Sequence, residues 1–567
     1  MQRGEIDKRS SQVHLSGWRR LCAGGIDAAV PACGPARRPA RAGKAAASPC
    51  GLLLWGLLIG GCTNVGPDFK APESPVAETW DQGSGGGLQA KPLELVEWWQ
   101  VLDDPVLDRL IRTAYQQNYS LEVAGLRVLE ARAQLGIAVG NQYPQLQRGR
   151  GGVTRISASE SGANTVAGDL NYWQYDLGAD VSWEMDFWGR FRRGIESADA
   201  NLAASVANYD NALVLLTSQV AQTYNAIRTA EQQLNVARDN VVLQQRSLDI
   251  TQVRFRFGDV NELDVQQAKT LLLSTQATIP EFETSLYQAR NALSTLLARS
   301  PGDLADLLGP DGDIPAPPGE IATGVPADLL RRRPDVRRAE LQAAAQSALI
   351  GVAEADLYPS FTLSGSVGLS AADGTDTTRT GDTGPGELFN SDSLVFQGGP
   401  AFSWNILNYG RIKNNVRVQD ARLQQLLIAY QDTVLAAAQE VEDSMVAYVR
   451  GLEQGVILGQ SVEAAKRSVD LSTLRYKEGF SDYQRVLDAQ QSLFTQQQRY
   501  VANQGAVISS VVSLYKALGG GWQIRDGQEF VDEDNKEMMR DRVDWGELLE
   551  PGSTDPAPKG QRRKPDW

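Results

Sequence analysis

The sequence predicts an α+β chain written twice over, in which a few β-strand segments are carried by two very long helices. Three observations predict this. Motifs recur at a near-constant spacing, two 70-residue stretches lack proline, and four segments read as strands, most clearly where polarity alternates residue by residue.

The repeat is the strongest of the three. GIAVGNQYPQLQ (136–147) recurs 215 residues later as GVAEADLYPSFT (351–362). WEMDFWGR (183–190) answers WNILNYGR (404–411), RFRFGDVNELDVQQA (254–268) answers RYKEGFSDYQRVLDA (475–489), and NALSTLL (291–297) answers VSLYKAL (512–518), each 221 residues on. A period above 200 residues is a tandem duplication rather than a solenoid. The halves are expected over 105–300 and 326–522, joined by a linker at 301–325.

Each half reads helix, strand pair, long helix, shorter helix. The first helix is expected over roughly 105–142, because Leu121, Ala124, Val128, Ala131, Leu135 and Ala138 form one stripe. It stops at Tyr143-Pro144, as its counterpart stops at Tyr358-Pro359, since proline disfavours helix at the preceding residue. Strand-like segments follow each proline. In 172–187, Trp173, Tyr175, Leu177, Ala179, Val181 and Trp183 share one face; 361–370 alternates likewise, and 394–406 does so more weakly. Alternation with aromatic residues near the strand ends fits an outer-membrane barrel, with a soluble sandwich as the alternative. Such barrels begin at about 8 strands, and open edges in lipid leave backbone groups unsatisfied. Four strands therefore require several copies to close one barrel.

The long helices lie between Gly189 and Gly258 and between Gly410 and Gly479; at 1.5 Å per residue each spans roughly 105 Å. In the first, Leu213, Leu216, Val220, Thr223, Ile227, Ala230, Leu234, Ala237, Val241 and Leu248 hold a three-four spacing, the mark of a left-handed coiled coil. The second is softer, with Val434, Ala437, Val441, Ser444, Tyr448, Leu458, Val462, Ala465 and Val469.

Ahead of the repeats, Leu52 to Ile59 is too short to span a bilayer, which takes about 20 residues. It follows Arg37, Arg38, Arg41 and Lys44 as the apolar part of an export signal does. Ile59-Gly60-Gly61-Cys62 resembles a bacterial lipobox, which implies lipidation of Cys62 as the new N-terminus and, with Thr63 rather than Asp after it, sorting to the outer membrane. Residues 1–61 are read as a signal preceded by an extension longer than a signal needs, with translation expected to start downstream of Met1. Residues 62–104 are read as a lipid-anchored tether, with GSGGG (83–87) a flexible linker.

Cleavage before Cys62 removes Cys22, Cys33, Cys50 and His14, the only histidine. What remains has no partner for a disulfide, no histidine or cysteine set for a metal and no Cys–His or Ser–His pair for nucleophilic catalysis. No catalytic residue, metal site or cofactor is expected beyond the covalent lipid. Residues 62–567 hold 46 Lys/Arg against 66 Asp/Glu, which argues against nucleic acid as a partner. RRRPDVRR (331–338) is read as a solvated cap, and 523–567 as a disordered tail.

The doubled Tyr-Pro, the W-x-x-D-F-W-G-R box, RYKEGFSDYQRVLDAQQSLF, VPADLLRRRPDV and SLYKALGGGW together resemble the outer-membrane factor (TolC-like) family, in its NodT/OprM lipoprotein branch, from about Cys62 to Trp522. The resemblance implies a homotrimer with a 12-stranded barrel, four strands per protomer, continued by a long α-helical periplasmic tunnel. It implies a passive exit duct of a tripartite efflux system of RND type, docking a periplasmic adaptor protein and an inner-membrane transporter. A type I secretion channel and a non-pore periplasmic coiled-coil scaffold are the alternatives.

A duct needs a gate, expected at the turns Gly258–Asp264 and Gly479–Asp488, farthest from the barrel, where both glycines break helices. The resemblance implies that Asp264 pairs with Tyr476 and that Asp488 lines the narrowest ring. Arg485 stands one turn before Asp488, at a spacing that would neutralise that ring.

Overall fold

The structure, a computed structural model, describes residues 64–72, 79–81, 88–89, 95–157, 159, 171–302, 304–322, 324, 330–373, 384–555 and 564–565. Cys62 and the signal lie outside these residues.

Helix α1 (Pro105–Gln117) opens on Asp104, whose side chain accepts from the Val106 and Leu107 amides, with Pro105 in the first turn. The single helix expected over 105–142 is two. Asn118 is extended, caps α2 (Tyr119–Gly140) by accepting from the Leu121 amide, and donates to the Leu296 carbonyl at 2.9 Å. Its buried amide satisfies more backbone groups as a cap than inside a helix.

Four strands follow in pairs: β1 (Leu146–Ser157) and β2 (Asn171–Met185), then β3 (Ser360–Asp373) and β4 (Leu394–Ser403). They form one antiparallel sheet in the order β1-β2-β3-β4, so the two halves meet at β2 and β3, with Trp183 opposite Leu363.

From the sheet run α3 (Arg190–Arg256) and, in the second half, α6 (Arg411–Lys477), each 67 residues. They start at Gly189 and Gly410, both left-handed at φ near 80°, which glycine adopts without strain. The shorter α4 (Glu262–Leu296) and α7 (Gln484–Ala517) return along them, and α5 (Pro334–Ala355) packs between α3 and α6. The stripes read from sequence are the buried ones: Leu213, Val220, Ile227 and Leu234 on α3, Val434, Val441, Tyr448 and Val469 on α6.

Three further expectations are corrected. Residues 62–104 are built into the molecule over much of their length: Trp98 and Trp99 are buried, Trp98 stacks on Tyr515 at 5.3 Å, and Leu88–Gln89 pairs in parallel with Ile321–Ala322. The tail is folded as far as Asp555. Helix α8 (Glu533–Arg542) and its flanks set Val531, Met539 and Leu549 against Leu129, while Arg525 bonds the fully buried Asp210. A short apolar stripe and one charge pair override a polar composition. Arg333 is buried rather than solvated. It donates to Asp335 (2.7 Å), Glu440 (3.0 Å) and the Ala517 carbonyl (2.6 Å), tying α5, α6 and α7 together.

Candidate functional site

The sheet has two unlike faces, and the register assigns every side chain to one of them. One face carries Val153, Trp173, Leu177, Val181, Leu363, Val367, Phe396 and Phe402, all exposed apolar residues. The other carries Arg148, Arg150, Asp176, Asp180, Ser364, Ser366 and Gln397, with Arg148 and Arg150 reaching Asp180 at 3.0 and 3.6 Å. This is the alternation of a wall with lipid outside and water inside. The outer edges of β1 and β4 pair with no described strand.

The helices leave this sheet beside a docked segment. Arg193 on α3 donates to the carbonyls of Val65 and Gly66 and to Asp68 (2.8 Å), and the Val65 amide donates to the Trp188 carbonyl at 3.0 Å. Gly66 lies so close to Gly351 that a Cβ there would stand 2.4 Å from its Cα.

At the other end of the long helices, two turns lie side by side. Gly258 and Gly479 are left-handed at φ 78° and 82°, the C′ geometry expected of them. Asn261 accepts from the Asp264 amide and so starts α4, placing Asp264 in its first turn. Beneath the turns Tyr476 and Tyr483 are buried edge to face at 5.4 Å, packed with Leu248, Ala268, Leu272 and Val486.

The structure brings these residues together differently from the pairing implied by resemblance. The Tyr476 hydroxyl faces Thr251 Oγ1 at 3.5 Å, and no hydrogen bond joins it to Asp264. Instead Arg254 lies over the Tyr476 ring at 4.6 Å and donates to its carbonyl. Burial, with Tyr476 and Asp264 nearby, pushes the Tyr483 phenol far above its ordinary value. Asp488 is exposed and accepts from Gln484 at 2.8 Å, while Arg485 points to Asp482 at 3.9 Å. The neutralisation of Asp488 by Arg485 is thus absent from the protomer. Motif spacing alone does not single out Arg254, Thr251 or Tyr483. Arg254 and Tyr483 sit inside the repeated boxes, and the recurrence of the arginine as Arg475 is the signal that could have found it.

Between the two hairpins the joint carries hydrogen bonds beside its apolar contacts. Asn225 donates to the Gly505 carbonyl (2.8 Å), Gln498 to the Gln233 carbonyl (3.1 Å), Asn240 to Gln497 (2.7 Å) and Gln490 to Ser247 (2.6 Å). Within the second hairpin Ala465, Val469 and Leu493 form an apolar seam.

Comparison with known proteins gives one answer. The outer membrane efflux protein family matches residues 110–299 and 325–520, one stretch for each half. Nodulation protein T of Rhizobium leguminosarum bv. viciae is 31% identical over 468 residues, covering 82% of this chain and 92% of that protein. The antibiotic efflux pump outer membrane protein ArpC of Pseudomonas putida is 30% identical over 485 residues, covering 84% and 96%. The solved outer-membrane channel OprN superposes with a TM-score of 0.75 at 30% identity, covering 81% of this chain and 99% of that one. With its amphipathic four-stranded sheet and paired long helices, the chain belongs to the outer membrane efflux protein family.

Proposed function

We propose that three copies of this chain close a twelve-stranded barrel and a helical tunnel, forming the passive exit duct of a tripartite, RND-type efflux system for small molecules. The observation that carries it is the sheet: apolar on one face, charged and hydroxylic on the other, and open at both edges among the described strands. A periplasmic scaffold would have no use for exposed Phe396 and Phe402; a shared barrel puts them in lipid. The name of ArpC, an antibiotic efflux pump component, supports a small-molecule cargo. Cys62 carries the lipid; shortly after it in the sequence, Val65 and Gly66 are held by Arg193. A periplasmic adaptor protein and an inner-membrane transporter complete the path.

The turns at Gly258 and Gly479 form the gate. Arg254, Tyr476 and Tyr483 hold the two hairpins closed, Asp264 adds negative charge beside them, and Asp488 lines the opening without help from Arg485. Deleting the gene and challenging cells with a panel of antibiotics, dyes, solvents and metals tests the reading. Increased susceptibility to small toxic compounds, restored by the intact gene, is expected. Unchanged susceptibility together with loss of a secreted protein would replace it with the secretion reading.

A further inference from the structure

The duplication is exact enough in space to dictate how one copy meets the next. Within the first half Trp183 donates its indole N–H to the Gln142 carbonyl at 3.2 Å; within the second, Trp404 donates to the Leu357 carbonyl at 2.9 Å. These are the same contact, moved on by one repeat. Strand pairing repeats too. The Leu146–Ser182 pair of β1 and β2 becomes the Ser360–Ser403 pair of β3 and β4 when the first strand is advanced 214 residues and the second 221. The step of 214 rather than 215 keeps apolar side chains on one face throughout.

The contact between the halves, β2 against β3, has its counterpart only outside the protomer. At that internal junction Trp188 stacks on Tyr358 at 4.7 Å and donates to the Pro359 carbonyl at 2.8 Å. The repeat equivalents of these residues are Tyr409, Tyr143 and Pro144. Tyr409 is 98% exposed and held at φ 50°, a strained setting for a large residue. The same operation carries the Asp180–Ser366 pair onto Ala401 and Gly152, on the polar face of the two open edge strands.

We propose that β4 of one copy pairs antiparallel with β1 of a second copy in the register that sets Ala401 opposite Gly152, and that Tyr409 of the first packs on Tyr143 of the second. This rests on the barrel reading above and specifies its seam. Nothing lies within 4 Å of the point where a Cβ at Gly152 would stand, so a side chain fits there.

Cysteine pairs test the register, because directly opposite residues hold their Cβ atoms about 4.5–5.5 Å apart while a two-residue slip carries them beyond disulfide reach. Ala401→Cys is combined with Gly152→Cys, and separately with Arg150→Cys or Thr154→Cys. Each full-length variant is purified from outer membranes, oxidised with copper phenanthroline, and run denatured without reductant; native mass is measured in parallel. The Gly152 pairing is expected to give linked oligomers, at least about tenfold above the flanking pairs and absent from each single variant. Stronger linkage through position 150 or 154, or no linkage in a trimer of native mass, overturns the register and leaves the duct standing. A monomeric native mass overturns both.

Discussion

Arg254 shows how one side chain can hold a joint that its charge alone would not suggest. It covers the Tyr476 ring and donates to the Tyr476 carbonyl, two contacts across the hairpins, whereas the Tyr476 hydroxyl reaches Thr251 only at 3.5 Å, at the limit of a hydrogen bond. Arg254→Ala is therefore expected to raise single-channel conductance well above wild type, and Tyr476→Phe to change it little; equal effects would return the weight to the phenol. Asp488 is unpaired by Arg485, so Asp488→Asn should lower the cation-over-anion permeability ratio, read from reversal potentials in a salt gradient. An unchanged ratio would show that this carboxylate does not face the ion path. Sequence made Gly258 and Gly479 legible as helix breaks, because a helix-ending turn at φ near 80° admits little else. It did not show which way Tyr476 turns, since spacing does not say that Leu248 and Leu272 offer it a buried seat.

At the level of elements, the described segments that flank the repeats are clamped onto them. Arg193 is almost fully buried, yet its acidic partners Asp68 and Glu196 stay in contact with water, so removing it strands no buried charge. Arg193→Ala should leave global melting nearly unchanged while hydrogen exchange of 64–70 rises sharply; protection equal to wild type would show that the segment is held by other contacts. Gly125 on α2 meets the Phe530 carbonyl so closely that a Cβ would stand 1.9 Å from it. Gly125→Ala should displace the C-terminal segment, cost about 1–3 kcal/mol as overpacking does, and expose α8 to protease. Strands and long helices were readable because their periods of 2 and 3.6 persist over many residues. The break at Asn118 and the folding of α8 were not, because each depends on a partner far along the chain, Leu296 in one case and Leu129 in the other.

For the whole molecule, the second half is fastened at Arg333, where α5, α6 and α7 meet. Burial works against the charge of Asp335, but its bonds to Arg333 prevail and hold its carboxyl below the ordinary value. A depressed value in the folded state means the stabilisation is complete above the ordinary carboxylate range and is lost as pH falls through the folded value. Asp335→Asn should be less stable than wild type by about 1–3 kcal/mol at neutral pH, and the difference should shrink below pH about 4, in thermal melts across that range. A gap that stays constant with pH would deny the carboxylate this role. The duplicated architecture was the most legible feature of all, since motif spacing survives where individual contacts change. The proposed gated pore is tested most directly by planar-bilayer recording of the purified chain. Small, rare conductance steps are expected from wild type, with large sustained openings from Asp264→Ala/Tyr476→Phe/Arg254→Ala. Inserted, folded protein that passes no current in either form would refute the gated pore.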